Sequence, residues 1–188
     1  VTTTVWHSDC SFELQPAGLA AFWLLSQPET GGDMLYASQV LNLQSFSPTM
    51  ANFLRTLKAT HTAVNSMRSK RGGVVRREPI ETPIVRRHPV TGEEALDVNN
   101  QMTRTIVGMK RKESGASPVE FLYDHVAMST DQVRIKWEPT SVVVWDNRVT
   151  PHTARSDYAH LKACRHGTRI SAQAEWPIPA LDGLKMDD

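Results

Sequence analysis

Val133-Arg134-Ile135-Lys136-Trp137, Glu138-Pro139-Thr140-Ser141, Val142-Val143-Val144-Trp145: two β-branched and aromatic runs enclose four turn-forming residues. Such side chains suit a pleated, half-buried surface, and the Pro-Thr-Ser segment interrupts it, so the stretch predicts a hairpin. The same grammar recurs elsewhere. Residues 83–88 and 95–99 flank Pro89-Val90-Thr91-Gly92 and predict another hairpin. Residues 1–6 read as an opening strand, 19–25 as a short apolar strand buried on both faces, and 170–176 as a last strand. Gly31-Gly32-Asp33 breaks the chain. Ser47, as N-cap before Pro48, predicts a helix carrying Met50, Phe53, Leu54 and Leu57; Ser117-Pro118 predicts another through Phe121, Leu122 and Val126. Residues 68–81 read as an exposed loop, and the segment from Pro177 as a loosely held tail. Many short strands joined by turns, with two or three inserted helices, predict a mainly β fold, a sandwich or jelly roll. Another α+β arrangement also fits the pattern.

The chain has 188 residues, which suits one domain, with residues 177–188 set apart as a tail. Hydrophobic residues at 40% and charged residues at 22% exclude collagen-like, coiled-coil and wholly disordered classes. The longest apolar run, residues 19–25, is far short of the roughly 20 residues a membrane span needs. No signal-peptide pattern opens the chain, and it begins at Val1, as a processed chain or fragment would. Lys and Arg number 21 against 20 Asp and Glu, a balance that argues against a nucleic-acid binder. Residues 55–88 do hold nine positive side chains against Glu78 and Glu81, which reads as a solvated loop. Two cysteines, Cys10 and Cys164, make no disulfide framework and point to a reducing, cytoplasmic setting. The oligomeric state stays open, a homo-oligomer included.

Chemistry enters at His7-Ser8-Asp9. In an extended chain, residues i and i+2 point to one side, so an imidazole and a carboxylate can face one metal ion. A third ligand must come from elsewhere, and His152, beyond the polar turn Asp146-Asn147-Arg148, is the best placed. Two histidines and one carboxylate form the facial triad of non-haem Fe(II) oxygenases, with three positions left for cosubstrate and O2. The His-x-Asp pair alone is weak in a chain of seven histidines, where a plain surface turn explains it equally well.

Further motifs in order sharpen the reading. They are Trp6-His7-Ser8-Asp9 with Ser11-Phe12; Pro28 and Gly31-Gly32-Asp33; Val85-Arg86 with His88-Pro89-Val90-Thr91-Gly92; and Val98-Asn99. The strongest are Trp137-Glu138-Pro139, Val144-Trp145-Asp146-Asn147-Arg148, His152, Ala154, Asp157-Tyr158, Arg165 and Arg169. From Trp6 to about Trp176 the sequence resembles the taurine dioxygenase (TauD/TfdA) family of Fe(II)- and 2-oxoglutarate-dependent oxygenases. The resemblance implies a double-stranded β-helix of the clavaminate-synthase-like kind over residues 1–176. It implies His7, Asp9 and His152 as iron ligands, with 2-oxoglutarate and O2 as cosubstrates. It places Arg165 on the distal carboxylate of 2-oxoglutarate, where a guanidinium fork binds in two parallel hydrogen bonds. It places Arg169 near a small anionic substrate, a sulfonate among the candidates, with Phe12 beside the ligand motif. Trp137, Trp145 and residues 142–144 read as core.

Three positions depart from the family pattern. Met34 stands where many members carry a threonine that helps bind 2-oxoglutarate; a thioether cannot donate a hydrogen bond. Thr3 stands where an asparagine often touches the sulfonate. Only six residues precede His7, where members carry a substantial segment, so the chain reads as a fragment or a truncated member. The expected activity is hydroxylation of a small organic acid, with sulfite release if it is a sulfonate. The alternatives are other chemistry on the same cofactors (desaturation or ring closure), an inactive metal-binding remnant, or a hydrolytic zinc site.

Overall fold

A computed structural model describes residues 5–63, 78–110, 113, 118–161 and 163–186. Among them run twelve short strands and three α-helices: β1 (Ala17–Ser26), β2 (Met34–Ala37), α1 (Gln39–Gln44), α2 (Pro48–Arg55), β3 (Lys58–His61), β4 (Ile80–Pro83), β5 (Val85–Arg87), β6 (Glu94–Leu96), β7 (Thr103–Ile106), α3 (Pro118–Val126), β8 (Gln132–Ile135), β9 (Val142–Asp146), β10 (His152–Ala154), β11 (His166–Gln173) and β12 (Ile178–Pro179). Every strand pair is antiparallel, in four three-stranded sheets ordered β11-β1-β9, β10-β2-β8, β12-β5-β6 and β4-β3-β7.

The first two sheets enclose one core. Ala20 of β1 and Trp145 of β9 meet Met34 and Tyr36 of β2, with Trp137 between, and Phe22, Leu24 and Ile135 pack on them. Inner faces interdigitating between two antiparallel sheets make a jelly roll. A second core lies under the helices, where Leu43, Leu54 and Leu122 pack on Ile84, Val85, Leu96 and Ile106. Local chemistry sets the helix starts. Ser47 Oγ accepts from the Met50 amide at 3.3 Å with Pro48 in the first turn, as expected; Ser38 caps α1 through the Leu41 amide at 3.2 Å.

The 83–99 hairpin forms as β5 and β6, with Val85 opposite Leu96. The 133–145 hairpin does not. Its strands exist, but β8 pairs with β2 and β9 with β1. Trp137 and Trp145 both enter the core between the sheets, so the turn carries the chain from one sheet to the other. A turn signal shows where the chain reverses and says nothing of its pairing partner. The 19–25 run is a strand, but only one face is buried: Ala20 is 2% exposed, Leu19 53% and Leu25 60%. The strand expected at 170–176 lies earlier, as β11 at His166–Gln173, and Trp176 is exposed beyond it. The tail is not loose either. β12 pairs with Arg86 and Arg87, the Ala180 amide donates to the Val85 carbonyl at 3.0 Å, and Ala180 joins the second core. Val5 and Trp6 lie outside any strand, and residues 1–4 are beyond the described ones, as are residues 68–77 of the expected loop. The rest of that loop ends early, because Ile80 opens β4.

Candidate metal centre

Backbone pairing sets two of the expected ligands side by side. An isolated bridge joins His7 to His152 at the start of β10, and their rings stand 4.5 Å apart. His7 Nδ1 lies 3.0 Å from the Val5 carbonyl, which can only accept, so Nδ1 carries a proton and Nε2 is the nitrogen whose lone pair the neutral ring would offer a metal. Nε2 of His7 lies 3.8 Å from Asp9 Oδ1, and Nε2 of His152 lies 3.8 Å from Asp9 Oδ2. The three donor atoms fall within 4.8 Å of one another, and all three residues are buried.

The donor chemistry fits a cation. Asp9 Oδ2 is buried and has no hydrogen-bond partner among the described residues. A buried, unpartnered carboxylate oxygen is costly unless a positive charge answers it. Burial, then the charges of His7 and Arg169, hold His152 well below the ordinary histidine value. Its imidazole is therefore neutral near pH 7, the form that ligates metals. Trp145 and Tyr36 wall the ring, at 4.9 Å and 5.8 Å between centroids.

Arg165 lies one residue before β11. Its guanidinium sits over the Phe22 ring at 5.6 Å, Nε donates to the Gly32 carbonyl at 2.8 Å, and Nη2 is buried with no hydrogen-bond partner among the described residues. Burial pulls its pKa down, yet the group stays charged. The Gly31-Gly32-Asp33 loop wraps this arginine. The Gly32 amide donates to Asp157 Oδ1 at 2.8 Å, and that bond holds the Asp157 carboxyl below its usual range. Arg134 Nε reaches Asp33 Oδ2 at 2.6 Å. Gly31 and Gly32 have φ of +78° and +76°. A Cβ on Gly32 would come 3.0 Å from Arg165 Cδ.

Met34 follows on β2, buried, its sulfur accepting from the Tyr36 hydroxyl at 3.7 Å. Arg169, on β11 opposite Phe22, donates Nη1 to Asp9 Oδ1. Phe12 is half-buried in the turn after Asp9. Thr3 lies outside the described residues. The structure thus gathers His7, Asp9, His152 and Arg169 directly, with Arg165 and Met34 on the same core. Sequence reasoning gave no role to Asn147, which bonds the Asp9 backbone, or to Ser11, His61, Asn99 and Thr103, a buried hydrogen-bonded cluster behind the ligand turn. Such side-chain bonds, spanning 42 to 138 residues, leave no periodicity to read.

A double-sheet antiparallel sandwich carrying two histidines and a carboxylate at one core edge is an arrangement that could hold a metal ion as a facial triad does. The chain matches the model of the taurine catabolism dioxygenase TauD, TfdA family over residues 1–171. The chain belongs to this family. It is 43% identical over 190 residues to an alpha-ketoglutarate-dependent sulfonate dioxygenase of Saccharomyces cerevisiae, an alignment covering 97% of the chain and 45% of that protein. It is 42% identical over 183 residues to an alpha-ketoglutarate-dependent dioxygenase of Penicillium expansum, covering 93% of the chain and 49% of that protein. The chain therefore spans about half the length of these curated relatives. A taurine dioxygenase structure from Burkholderia xenovorans superposes with a TM-score of 0.82 at 30% identity, covering 93% of this chain and 58% of that one. Among the described residues, no helix is long and apolar enough to cross a membrane.

Proposed function

We propose that this chain carries the catalytic centre of an Fe(II)- and 2-oxoglutarate-dependent dioxygenase that hydroxylates a small organic sulfonate. The observation that supports it best is the buried Asp9 carboxylate, which faces His7 Nε2 through Oδ1 and His152 Nε2 through an Oδ2 that has no hydrogen-bond partner among the described residues. Residues 1–176 form the dioxygenase domain, and residues 178–180 pack onto it. Two free cysteines suit a reducing compartment such as the cytoplasm.

His7, Asp9 and His152 hold Fe(II). Bound iron, with 2-oxoglutarate and O2, supplies the oxidising power for C–H hydroxylation. The chain's own residues do the rest. The Val5 carbonyl fixes the His7 tautomer, and the Arg165 guanidinium offers its open Nη2 to the distal carboxylate of 2-oxoglutarate. Met34 contributes only apolar contact there. The Tyr36, Trp145 and Phe22 rings exclude water from the site. Arg169 stands beside Asp9, exposed enough to turn to a sulfonate, and Phe12, in the turn after Asp9, completes the substrate side. Hydroxylation at the carbon bonded to sulfur yields an unstable hydroxysulfonate that loses sulfite. The test is a panel of taurine, other alkane sulfonates and sulfur-free organic acids, reading succinate and sulfite together. Sulfite rising in step with succinate supports the sulfonate reading. Succinate stimulated only by sulfur-free acids removes the sulfonate and keeps the cofactor chemistry.

A further inference from the structure

The two histidines hold each other through the backbone bridge, but Asp9 lies in a turn with no strand neighbour. Among the described residues, Asn147 answers both of its backbone groups. The Asp9 amide donates to Asn147 Oδ1 at 2.8 Å, and Asn147 Nδ2 donates to the Asp9 carbonyl at 3.1 Å. The side-chain amide thus does for Asp9 what a neighbouring strand does for His7. Nδ2 donates again to the Ala17 carbonyl at 2.9 Å, and the Asn147 amide donates to the Gly18 carbonyl at 2.7 Å, which ties the clamp to the start of β1. Two carbonyls facing Nδ2 and one N–H facing Oδ1 fix which end of the amide is which.

The clamp is itself immobilised. On one side Asp146 Oδ2 accepts from His88 Nε2 at 2.9 Å; on the other, Arg148 Nε donates to the two oxygens of Glu175 at 3.0 and 3.2 Å. Asn147 is 3% exposed. The turn it holds needs holding. Cys10, next to the ligand, has φ of +57°, a left-handed conformation that a non-glycine residue keeps only when its surroundings impose it. On the carboxylate itself, among the described residues, Oδ2 has no hydrogen-bond partner and lies 3.8 Å from His152 Nε2, while Oδ1 accepts from Arg169 and lies 3.8 Å from His7 Nε2.

We propose that Asn147 is a positioning residue for the metal centre: by clamping the Asp9 backbone it sets where the Asp9 carboxylate stands against His7 and His152. This rests on the Fe(II) reading above. Partners that orient metal ligands typically govern affinity by about 10- to 100-fold.

The test is an anaerobic titration of the 188-residue chain with Co(II), read by visible absorption, alongside the melting temperature of the metal-free protein. Asn147→Asp is nearly isosteric but turns an oxygen towards the Asp9 and Ala17 carbonyls; Asn147→Ser removes the bidentate reach. Both should weaken Co(II) binding at least tenfold. Leu122→Ala opens a cavity in the other core and controls for lost stability; it should lower the melting temperature while leaving the Co(II) dissociation constant within twofold. The proposal is overturned if both Asn147 variants bind within threefold of the wild type, or if Leu122→Ala weakens binding as much as they do. Should neither Asn147 variant fold, hydrogen exchange on the metal-free wild type decides. An Asp9 amide as slow as that of His152 supports the clamp, and one exchanging freely overturns it. A wild type that takes up no Co(II) removes the metal reading itself, a result distinct from a wild type that binds and Asn147 variants that bind equally well.

Discussion

The backbone of His7 and the backbone of His152 are hydrogen-bonded to each other in both directions: the His7 amide donates to the His152 carbonyl at 3.1 Å, and the His152 amide donates to the His7 carbonyl at 2.8 Å. The spacing of two candidate ligands is thus set by main-chain geometry, independent of any ion. Removing one imidazole leaves the bridge intact. His7→Ala and His152→Ala should therefore fold with near wild-type melting temperatures when metal-free, yet lose Fe(II) binding and iron-dependent succinate formation. Turnover retained by His7→Ala would falsify its assignment as a ligand.

Among the described residues, Arg165 Nη2 is buried without an acceptor, while Nε donates to the Gly32 carbonyl. Arg165→Ala should bind Fe(II) normally and lose at least tenfold in affinity for 2-oxoglutarate, measured by the visible charge-transfer band of the anaerobic complex. Arg165→Lys restores the charge without the planar fork and should recover only part of the loss. A full recovery would show that charge alone is recognised.

Gly32 combines a left-handed backbone with contact to that arginine. Gly32→Ala places a Cβ against Arg165 Cδ and adds strain of about 1–2 kcal/mol. The expected result is a lower urea midpoint together with weaker 2-oxoglutarate binding. Gly92, also at positive φ but with nothing within 4 Å of an added Cβ, is the comparison. Gly92→Ala should share the stability loss and spare cosubstrate binding.

Arg169 spends Nη1 on Asp9 while its side chain is 43% exposed. If it also receives the substrate anion, Arg169→Ala raises KM for a sulfonate far more than it lowers kcat. An equal fall in kcat with KM unchanged would instead place the residue in service of Asp9.

Burial holds the fully enclosed His61 imidazole below the ordinary histidine value, against the Asp97 charge that favours protonation. The unfolded chain takes up a proton near pH 6.5 where the native state does not, so stability is complete above that pH and falls as pH drops below it. One proton corresponds to about 1.4 kcal/mol per pH unit. Urea midpoints of metal-free protein should decline from pH 7 to pH 5. His152, lowered as well, adds to the decline. His61→Gln should flatten the slope by its own share, and an unchanged slope would mean His61 is protonated in the native state.

Local chemistry was legible in the sequence. The Ser47 cap, the Pro89–Gly92 turn and the strand character of residues 19–25 all follow from neighbours a few residues apart. Partner choice was not. Nothing local shows that Val142–Asp146 pairs with β1 and passes over Gln132–Ile135, because that depends on Trp137 and Trp145 sharing one core. Ala180 looked like part of a free tail because one alanine after two prolines carries no periodic signal; only the Val85 carbonyl and the second core explain it. In the site, residue types that ligate metals stand out by composition and motif. Asn147 acts through its amide on a backbone 138 positions away, and no spacing rule encodes that.

Those separations have a kinetic consequence. The bonds that assemble the centre join Asp9 to Asn147, Gly32 to Arg165 and Asp9 to Arg169, spanning 138, 133 and 160 residues. Contacts so distant along the chain form late, once the loop between them has closed, and a fold dominated by them is slow to form. The centre is thus the last seam of the jelly roll. During synthesis His7 emerges 145 residues (152 − 7) ahead of His152 and must wait for it. Uptake of a metal ion in refolding experiments should accordingly track completion of the fold, lagging behind the appearance of β-structure.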